Sequence, residues 1–514
     1  MTPPQPVPAS APAAAQAPTR WLTGEQLGPE FDDGGPIVLI ENTQVFAVEP
    51  THRLKAHLHL SALRHRAREL GDRATLVQSS SFQTALQDAG LTGQQLEVID
   101  PPSWAARQLV RELQASILPS RGFVTSEADF AEWVDGRTKN QLVMDRFYRA
   151  VRERTGILMT RDGAGAGGAA SPAGGQFSFD ADNRQAPPKK AANLGLPAPW
   201  QPVEDDIDVQ VRADLDRLES EGVRFLGRDG PRRFAVTRAE ALAALDDFVD
   251  TRLGDFGPFE DAMMLGDDTM GHSRLSVPMN LGLLNPLEIV ERVVAEYEAG
   301  RAPLNSVEGI VRQLIGWRDW VWHLYWHLGE DYTRRSNALD AHTPLPAHWW
   351  ALDGSGTDAL CLSHTLDGVG DTGWAHHIPR LMVLGNAALQ RGYDPAELTA
   401  WFQGAFVDGT PWVMPANVIG MSQWADGGVV ATKPYSSGGA YIDRMSNFCG
   451  SCRFNPKVRL GPDACPFTAG YWAFLDRVEP SIRGNHRMAQ PLAGLRRLVD
   501  REQVVEQERA RGSL

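Results

Sequence analysis

The stretch Pro36-Ile37-Val38-Leu39-Ile40 follows two glycines and is a short apolar run, which is typical of a buried strand. From Leu58 to Leu70, apolar residues return every three or four positions, as on an amphipathic helix. The run Leu96-Glu97-Val98-Ile99 then indicates a second buried strand. This alternation of strand and helix predicts a parallel, Rossmann-like α/β domain over residues 21–150.

The second half of the chain has a different pattern. From Thr237 onward, helical spacing of apolar residues recurs between prolines and glycines, over residues 239–251, 286–299, 306–328, 378–391 and 395–407. Eleven of the fifteen tryptophans fall between Trp317 and Trp472. We expect most of them in a helical core, but this density is also typical of a domain that binds a flat aromatic cofactor or moves electrons.

Composition sets the expected domain boundaries. Residues 1–20 are rich in Pro and Ala and are predicted to be a disordered tail, and residues 151–232 are predicted to be an interdomain linker. The linker contains a Gly/Ala-rich insert at residues 163–175, which we interpret as a flexible loop because no clear strand precedes its glycines. An all-α domain follows over residues 233–490, and a C-terminal tail over residues 491–514.

Charge and hydropathy argue against several classes of protein. The net charge of −14 argues against non-specific coating of nucleic acid, and no apolar run is long enough to span a membrane. The N-terminus lacks the basic start and apolar stretch of a signal peptide, so we expect a cytoplasmic monomer with reduced thiols. We interpret the basic run at residues 53–73 as a solvated helix face.

Three of the four cysteines stand close together. Cys449 and Cys452 are separated by two residues, Cys465 follows after twelve more, and Cys361 lies far upstream. Two thiolates at this spacing can hold one metal centre from a single turn, and two others complete a set of four that suits tetrahedral zinc or an iron–sulfur cluster. Nearby aromatic residues such as Phe448 modestly favour the cluster, because a dry apolar shell helps to hold it.

Long stretches of the chain carry a resemblance to a known family. They are His272–Ser276, Asn280–Leu284, Ala302–Gly309, Arg312–Arg318, Ala375–Asn386 and the block from Gly420 to Phe467. They closely resemble the bacterial iron–sulfur branch of the photolyase/cryptochrome family, the deoxyribodipyrimidine photolyase-related proteins of the prokaryotic (6-4) type. The resemblance implies an α/β antenna domain, a helical domain that binds FAD, and a four-iron–four-sulfur ([4Fe-4S]) cluster on Cys361, Cys449, Cys452 and Cys465.

The resemblance also implies which residues contact FAD. The turn from Ser273 to Ser276 is similar to the family's phosphate contact, where hydroxyl and N–H groups can meet negative charge. Arg380 and Asp408 match positions near the flavin ring. The other positions implied by the family are Asn280, Glu308, Gln313, Arg318, Asn386 and Asn417. Without the resemblance, we would interpret the polar residues of the helix at 306–328 as an internal hydrogen-bonded set.

Repair chemistry is implied for a histidine pair and two tyrosines. In the (6-4) chemistry of the family, excited reduced flavin gives an electron to the lesion while a histidine moves a proton. Of His376 and His377, the family pattern indicates His377. Tyr435 and Tyr441 match positions that line the pocket for a flipped dinucleotide of UV-damaged DNA, with core packing as the alternative role.

An electron relay and an antenna are implied as well. Trp401 and Trp350 match family tryptophans that pass electrons to the flavin, whereas Phe402 stands where the family has tyrosine. A 6,7-dimethyl-8-ribityllumazine antenna is implied in the first domain. There, Val45 and Val48 replace an acid and a tyrosine of the family pattern, so we expect an altered pocket.

Further departures bear on function. Pro411 and Met414 replace two carboxylates of the flavin-facing segment, and Pro379 is expected to interrupt and kink the helix beside the histidine pair. The leading interpretation is light-driven repair of (6-4) photoproducts. The alternative is a blue-light receptor of the bacterial cryptochrome type with an unknown signalling partner, which the lost carboxylates favour, whereas His377 and Lys433 favour repair. A purely structural, nucleic-acid-binding use of the cluster domain would leave the flavin residues without a purpose.

Overall fold

A computed structural model describes residues 17–91, 93–138, 142–161 and 170–514. Its first half contains five strands: β1 Thr19–Leu22, β2 Ile37–Asn42, β3 Ala74–Ser79, β4 Leu96–Ile99 and β5 Ser116–Leu118. They form one parallel sheet in the order β3-β2-β1-β4-β5, in which Trp21 pairs with both Val38 and Val98. Both strands predicted from the sequence are confirmed, and so is the parallel α/β arrangement.

Six helices accompany this sheet: α1 Val45–Val48, α2 Arg53–Leu70, α3 Phe82–Asp88, α4 Trp104–Glu112, α5 Glu127–Val134 and α6 Met144–Thr155. Helix α2 begins where the His52 side chain accepts the Leu54 N–H, and it ends at Gly71, whose φ of +57° favours glycine. Its apolar residues, including Leu58, are buried, as the spacing in the sequence predicts.

Two segments predicted to be irregular contain strands. Strand β1 begins at Thr19, inside the predicted N-terminal tail, of which residues 1–16 lie outside the described residues. Residues 163–169 of the Gly/Ala-rich insert also lie outside them. The end of the insert forms β7 (Ala170–Pro172), which pairs antiparallel with β6 (Met159–Arg161), so this part is not a free loop.

The predicted linker contains an ordered helix, α7, at Asp206–Ser220. Asp205 and Asp208 form a capping box at its start, and its apolar face packs against α2 through Val211 and Leu215. A helix with these contacts is part of the packed structure, because it buries a full apolar stripe.

Acidic residues of α7 neutralise the basic run on α2. Arg53 pairs with Asp216 at 2.5 Å, and Arg64 pairs with Asp214 at 2.6 Å. Arg64 also pairs with Glu41, and other arginines of the run pair with Asp32, Asp205 and Asp206. The interpretation of this run as a solvated face is therefore wrong: its partners are distant in sequence and could not be identified from local charge.

The second half is helical: α8 Arg238–Thr251, α9 Leu253–Phe256, α10 Ser276–Asn280, α11 Pro286–Glu298, α12 Leu304–Val311, α13 Asp319–Leu328, α14 Tyr332–Arg335, α15 Ala347–Trp350, α16 Leu360–Thr372, α17 Asn386–Arg391, α18 Pro395–Ala405, α19 Gly439–Met445, α20 Pro466–Ile482, α21 Ala489–Arg496 and α22 Arg501–Arg511. The helices predicted from apolar spacing are all present. The last helix, α22, packs on α20, so the predicted C-terminal tail is ordered. No helix of the described residues is long and apolar enough to cross a bilayer.

Three further segments are π-helical, with wider turns than an α-helix. They are Arg312–Arg318, Pro379–Gly385 and Ala416–Ser422. Pro379 lies in the first turn of its segment, where a missing N–H leaves no bond unmade. The expected interruption of the helix at Pro379 is therefore wrong, because the helix begins at His377 and the proline lies in its first turn. π-turns are rare and are frequent at functional sites, so these segments draw attention to their side chains.

Candidate active site and metal centre

The four cysteines line one cavity. Cys361 lies on α16, Cys449 and Cys452 follow α19, and Cys465 immediately precedes α20. The rest of the cavity wall is mainly apolar, with Ala359, Ile442, Phe448, Phe454, Pro466 and Phe467. Gly439 lies so close that a Cβ atom there would come within 2.7 Å of Cys465 Sγ. The fold thus brings together the four predicted thiol ligands in a space that a larger residue would fill.

In the described structure, no three cysteine sulfurs lie as close together as the ligands of one tetrahedral zinc ion would. Zinc–sulfur bonds of about 2.3 Å place neighbouring sulfurs roughly 3.8 Å apart. In the part of the chain that the structure describes, the groups of three ligand atoms within 4.8 Å of one another contain no cysteine. Burial and neighbouring thiols raise the pKa of Cys361 and take that of Cys449 to about 12, so the free thiols are neutral and would ionise on binding a metal.

Asp408 gathers three of the residues predicted to bind FAD. Both carboxylate oxygens of the buried Asp408 accept from the Arg380 guanidinium, at 2.8 and 3.1 Å. The Ser276 hydroxyl donates to the same carboxylate at 2.8 Å, and the Asn280 amide donates to the Asp408 main-chain oxygen at 3.1 Å. A bidentate arginine–carboxylate pair of this kind holds both charges in a defined orientation.

Glu308 and Gln313 belong to a second buried network. The Tyr148 hydroxyl and the Phe179 N–H donate to the Glu308 carboxylate at 2.8 and 2.9 Å. The Gln313 amide donates to Glu260 at 2.7 Å. Burial raises the pKa values of Glu308 and Glu260. The hydrogen-bonded set suggested by the sequence is therefore present for these two residues.

Arg318 does not join Glu308 and Gln313, although all three lie on the helix predicted at residues 306–328. Its guanidinium lies over the rings of Phe123 and Trp412, 4.4 and 5.1 Å from their centroids. The intervening π-turn changes the angular spacing along the helix and directs Arg318 toward the first domain instead.

Asn386 and Asn417 have separate partners. The Asn386 amide donates to the Ser437 main-chain oxygen at 2.9 Å and its oxygen accepts the Ser437 N–H at 3.1 Å. The Asn417 amide donates to the Val413 carbonyl within its own helical turn, at 2.8 Å. Neither side chain bonds to the Asp408 network.

The predicted histidine pair meets a third histidine. The rings of His376 and His272 stack with centroids 4.2 Å apart, and the His377 ring lies edge-on to His272 at 5.3 Å. Burial lowers the pKa values of His272 and His376 well below 6.5, so both are neutral at pH 7. His377 differs from them because 47% of its side chain is exposed.

Asp261 lies close to His377 and acts electrostatically on both predicted tyrosines. Its carboxylate lies 3.7 Å from His377 Nε2. Burial raises the pKa values of Tyr435 and Tyr441, and the negative charge of Asp261 adds to both effects. Tyr435 nevertheless exposes 37% of its surface. His377 and Asp261 are within ion-pair distance, and the charge of Asp261 acts on both tyrosines, after that of Asp180 in the case of Tyr435; we call these four side chains the His377 patch.

Ser273 lies beside an excess of buried positive charge. One cavity is lined by Ser273 together with Arg233, Arg252 and Arg274. Burial and the neighbouring arginines lower the pKa of Arg274 to about 9, and its Nε atom has no partner. Asp247 pairs with Arg252 at 3.1 Å, which balances only part of this charge. Because buried charges need partners, the cavity favours an anion.

The two tryptophans predicted to carry electrons, Trp401 and Trp350, have separate contacts. Trp401 is fully buried, and its nearest tryptophan ring is Trp349, with centroids 5.2 Å apart. Trp350 instead donates its indole N–H to Glu397 at 3.1 Å. The electron-transfer role that the resemblance implies for Trp350 stays a prediction, and the structure adds Trp349, on the same short helix α15, as the tryptophan packed against Trp401.

Comparison with known proteins identifies the family. A family model described as "Deoxyribodipyrimidine photo-lyase-related protein" matches residues 20–228. A protein of Agrobacterium fabrum named "(6-4) photolyase" is 37% identical over 505 residues, which are 93% of this chain and 95% of that protein. The chain belongs to the photolyase-related family.

Two solved structures share the photolyase/cryptochrome fold with this family member. A bacterial class III photolyase from Agrobacterium tumefaciens has a TM-score of 0.55 at 15% identity and covers 98% of both chains. A cryptochrome of Synechocystis sp. PCC6803 has a TM-score of 0.56 at 13% identity, over 97% of this chain and all of that one. Their likeness concerns the fold.

Several site residues of this photolyase-related chain were not found from the sequence. Asp261 follows another acid in a stretch without a helical pattern, so no signal singled it out. The arginines around Ser273 come from three distant segments, and only Arg274 lies in a stretch similar to the family. Trp349 was visible as one of two adjacent tryptophans, and structure was needed to choose between them.

The departures from the family pattern also have defined surroundings. Met414 is buried in the same apolar cluster as Trp401, with 3% of its surface exposed. In the first domain, Val45 and Val48 are exposed. Glu41, next to them in sequence, accepts two hydrogen bonds from Arg64, at 2.7 and 2.9 Å, so its charge is used internally.

Proposed function

We propose that this protein is a light-driven DNA repair enzyme that uses FAD to reverse (6-4) pyrimidine photoproducts. Its similarity to a (6-4) photolyase over nearly the whole chain supports a photolyase of this kind. The observation that carries the proposal is the exposed ring of His377, whose Nε2 lies 3.7 Å from the Asp261 carboxylate. A base flipped out of DNA needs an aromatic surface and a proton donor within reach, and the His377 patch offers both.

FAD is proposed because two sites in the chain suit its two ends. The arginine cavity beside Ser273 suits the diphosphate, whose negative charge would balance Arg233, Arg252 and Arg274. The Arg380–Asp408 pair suits the ring end, because a held guanidinium can stabilise a negatively charged reduced flavin. Asn280, Glu308, Gln313, Arg318, Asn386 and Asn417 remain proposed contacts that rest on the family resemblance.

The proposed mechanism assigns separate roles to the three histidines. When bound, reduced FAD supplies the electron that light moves onto the lesion. His377 would hold the proton for the reacting base, and Asp261 would orient its ring from 3.7 Å away. His272 and His376 are neutral and buried, so they would support His377 and would not act as acids. Tyr435 would stack on the flipped base.

A four-iron–four-sulfur cluster is proposed for the cysteine cavity. Four thiols in an apolar shell, of which no three lie as close together as the ligands of one zinc ion, fit a centre larger than a single atom. The ligands come from three segments, namely α16, the turn after α19 and the start of α20. We propose that the cluster holds these segments together. Trp401 and Trp349, packed against each other nearby in the same core, would carry electrons to FAD.

For a lumazine antenna we propose a different site from the segment around Glu41 that the resemblance implies. The segment with Glu41 offers no free acceptor, because Arg64 occupies it. A cavity between the two domains is lined by Gln26, Phe123 and Trp412, and Gln26 Oε1 is buried without a partner among the described residues. We propose this interdomain cavity as the antenna site, because it combines aromatic walls with a free acceptor.

A blue-light receptor with the same cofactors is the second candidate. The buried Met414 favours it, because no carboxylate is available at that position to supply protons near the flavin. The decisive test is a repair assay with reduced protein and an oligonucleotide carrying one (6-4) photoproduct, under blue light and in darkness. Light-dependent restoration of the two thymines supports repair. No restoration by protein that binds and photoreduces FAD would favour the receptor.

A further inference from the structure

The chain beyond α22 re-enters the core beside the proposed electron relay. Helix α22 ends at Arg511, and Gly512 then adopts a φ of +70°, a conformation that favours glycine and turns the chain inward. Leu514 follows and is buried, with 6% of its surface exposed. Its main-chain polar atoms therefore need partners inside the protein.

Those partners are aromatic residues in contact with the relay. The Trp349 indole N–H donates to the Leu514 main-chain oxygen at 2.8 Å, and the Tyr393 hydroxyl donates to the same oxygen at 3.2 Å. The Leu514 N–H in turn donates to the Tyr393 hydroxyl oxygen at 3.0 Å. Tyr393 lies edge-on to Trp349 at 5.6 Å, and Trp349 packs on Trp401.

We propose that Leu514 is a positioning residue of the electron relay. This inference rests on the proposed function, in which Trp401 and Trp349 pass electrons to FAD. When Trp349 gives one electron to oxidised Trp401, Trp401 becomes neutral and Trp349 keeps one positive charge. The Nε1–H of this cation is a stronger donor than that of neutral tryptophan, so the oxygen of Leu514 stabilises the oxidised form.

The surroundings strengthen this effect. Trp349, Trp401 and Tyr393 are all fully buried, so water does not compete for the indole N–H. A hydrogen bond in such a low-dielectric environment has a larger electrostatic effect than one in water. Docking of Leu514 therefore makes Trp349 easier to oxidise than a buried tryptophan without an acceptor. Trp401 has an acceptor of its own, because its indole N–H donates to the Trp349 main-chain oxygen at 2.8 Å, so loss of the Leu514 bond would shift the positive charge back toward Trp401.

The test measures light-driven reduction of FAD in three proteins. A chain that lacks residues 512–514 loses the acceptor, and Tyr393→Phe removes the hydroxyl that holds Leu514 while keeping the ring. Tyr332→Phe is the matched control, because its buried hydroxyl bonds to Asp426 instead. Each protein is illuminated with blue light and an external thiol as reductant, and transient absorption follows the tryptophan radical cation.

We expect photoreduction to slow about fivefold without residues 512–514 and about twofold in Tyr393→Phe, the effect of one hydrogen bond or part of one. The reduced flavin can return its electron to oxidised Trp401. In both variants more of the positive charge stays on Trp401, so the radical cation should decay faster. Tyr332→Phe should match the unaltered protein. Unchanged rates and radical lifetimes in both variants would overturn the proposal. If the shortened chain fails to bind FAD, Tyr393→Phe alone decides.

The variant Trp401→Phe distinguishes failure of the electron relay from failure of the role proposed for Leu514. Loss of photoreduction in Trp401→Phe, with normal rates in both Leu514 variants, would overturn the role of Leu514 and leave the relay in place. Normal photoreduction in Trp401→Phe would overturn the relay itself, and with it the role of Leu514.

Discussion

His376 and His377 are adjacent in sequence, yet their surroundings give them different chemistry. His376 stacks on His272 in the interior, where burial keeps it neutral. His377 faces water and has Asp261 within 3.7 Å. A residue that delivers a proton to a DNA base must reach that base, and exposure decides between the two histidines.

Substitution His377→Ala should therefore abolish repair and leave the flavin spectrum unchanged. We expect a loss of at least about 100-fold in repair rate, the usual contribution of a positioned general acid. His364→Ala is the control, since His364 is also partly exposed and pairs with an aspartate, Asp268. The assay is light-dependent repair of the (6-4) oligonucleotide. Repair by His377→Ala at the rate of the control would remove His377 from the mechanism.

Arg274 allows a test of the cofactor at the scale of one residue. Its charge is buried without a carboxylate of its own, so the proposed diphosphate would be its counter-charge. Arg274→Met should lower FAD affinity by about tenfold or more, because a hydrogen bond to a charged group is lost. Fluorescence titration with FAD measures this. Arg217→Met, which changes an exposed arginine paired with Glu221, is the control and should bind FAD normally.

At the scale of elements, we expect the packing of α7 to depend on the buried carboxylate of Asp208. Asp208 accepts hydrogen bonds from Ser61 and Arg232 and contacts His57 at 3.0 Å, and these partners lower its pKa although burial opposes the shift. A carboxyl group whose pKa is depressed by folding stabilises the protein above its unfolded pKa. That contribution is lost as pH falls through the folded value.

Asp208→Asn should therefore destabilise the protein by about 3 kcal/mol, because it leaves the buried guanidinium of Arg232 with less negative charge. The control is Asp206→Asn on the same helix, whose exposed pair with Arg68 contributes less than about 1 kcal/mol. Thermal unfolding at pH 7 compares the two. Equal melting temperatures would show that α7 does not depend on this network.

The cysteine cavity gives a second prediction at this scale. If a cluster holds α16, α19 and α20 together, Cys452→Ala should lose the bound iron and most of the soluble protein. Iron content per chain and soluble yield are the measurements, with Ser451→Ala, next to the ligand, as control. A soluble, well-folded Cys452→Ala protein without iron would show that the cluster is not structural.

The helices and strands show how much of the fold could be predicted from the sequence. Apolar spacing was sufficient for β2, β4 and the long helices, because a buried stripe leaves its period in the chain. Helix α7 had a readable signal, the pair Asp205 and Asp208 followed by Ile207 and Val211, but the prolines and charges around it suggested a linker. Ion pairs between α2 and α7, about 150 residues apart, leave no local signal.

The candidate site was only partly predictable for a related reason. The family resemblance supplied the cysteines, Arg380, Asp408 and His377, and the fold brings most of these into shared clusters. Asp261 and the arginines around Ser273 were not predicted from the sequence, because their neighbours come from distant segments. The π-turns also could not be predicted, since one extra residue in a turn barely disturbs the apolar pattern yet redirects Arg318.

At the scale of the whole molecule, the two domains meet at charged groups. The ammonium group of Lys55 on α2 donates to the main-chain oxygens of Gln403 and Gly409 in the helical domain, both at 2.7 Å. Glu25 accepts from the Trp412 indole at 3.3 Å. Burial raises the pKa of Glu25 to about 7 and lowers that of Lys55 to about 8.

This interface predicts a pH dependence with a definite sign. The folded state holds the Glu25 proton more tightly than the unfolded state, so this contribution to stability is present at low pH. It is lost as pH rises from about 4.5 to 7. Glu25→Gln should remove that slope, worth about 3 kcal/mol, while Glu30→Gln keeps it. Melting temperatures between pH 5 and 8 measure it, and equal slopes in all three proteins would contradict the prediction.

The three π-helical segments have a consequence for insertions and deletions. A π-turn holds one residue more than the α-turn it replaces, so removing Gly316 should convert Arg312–Arg318 to ordinary α-helix. Because the wide turn itself holds the extra residue, α13 would keep nearly its present orientation relative to α12, and only the side chains of the turn, including Arg318, would be redirected. Loss of a single glycine would thus leave the helices in place and remove the side-chain arrangement that the wide turn provides.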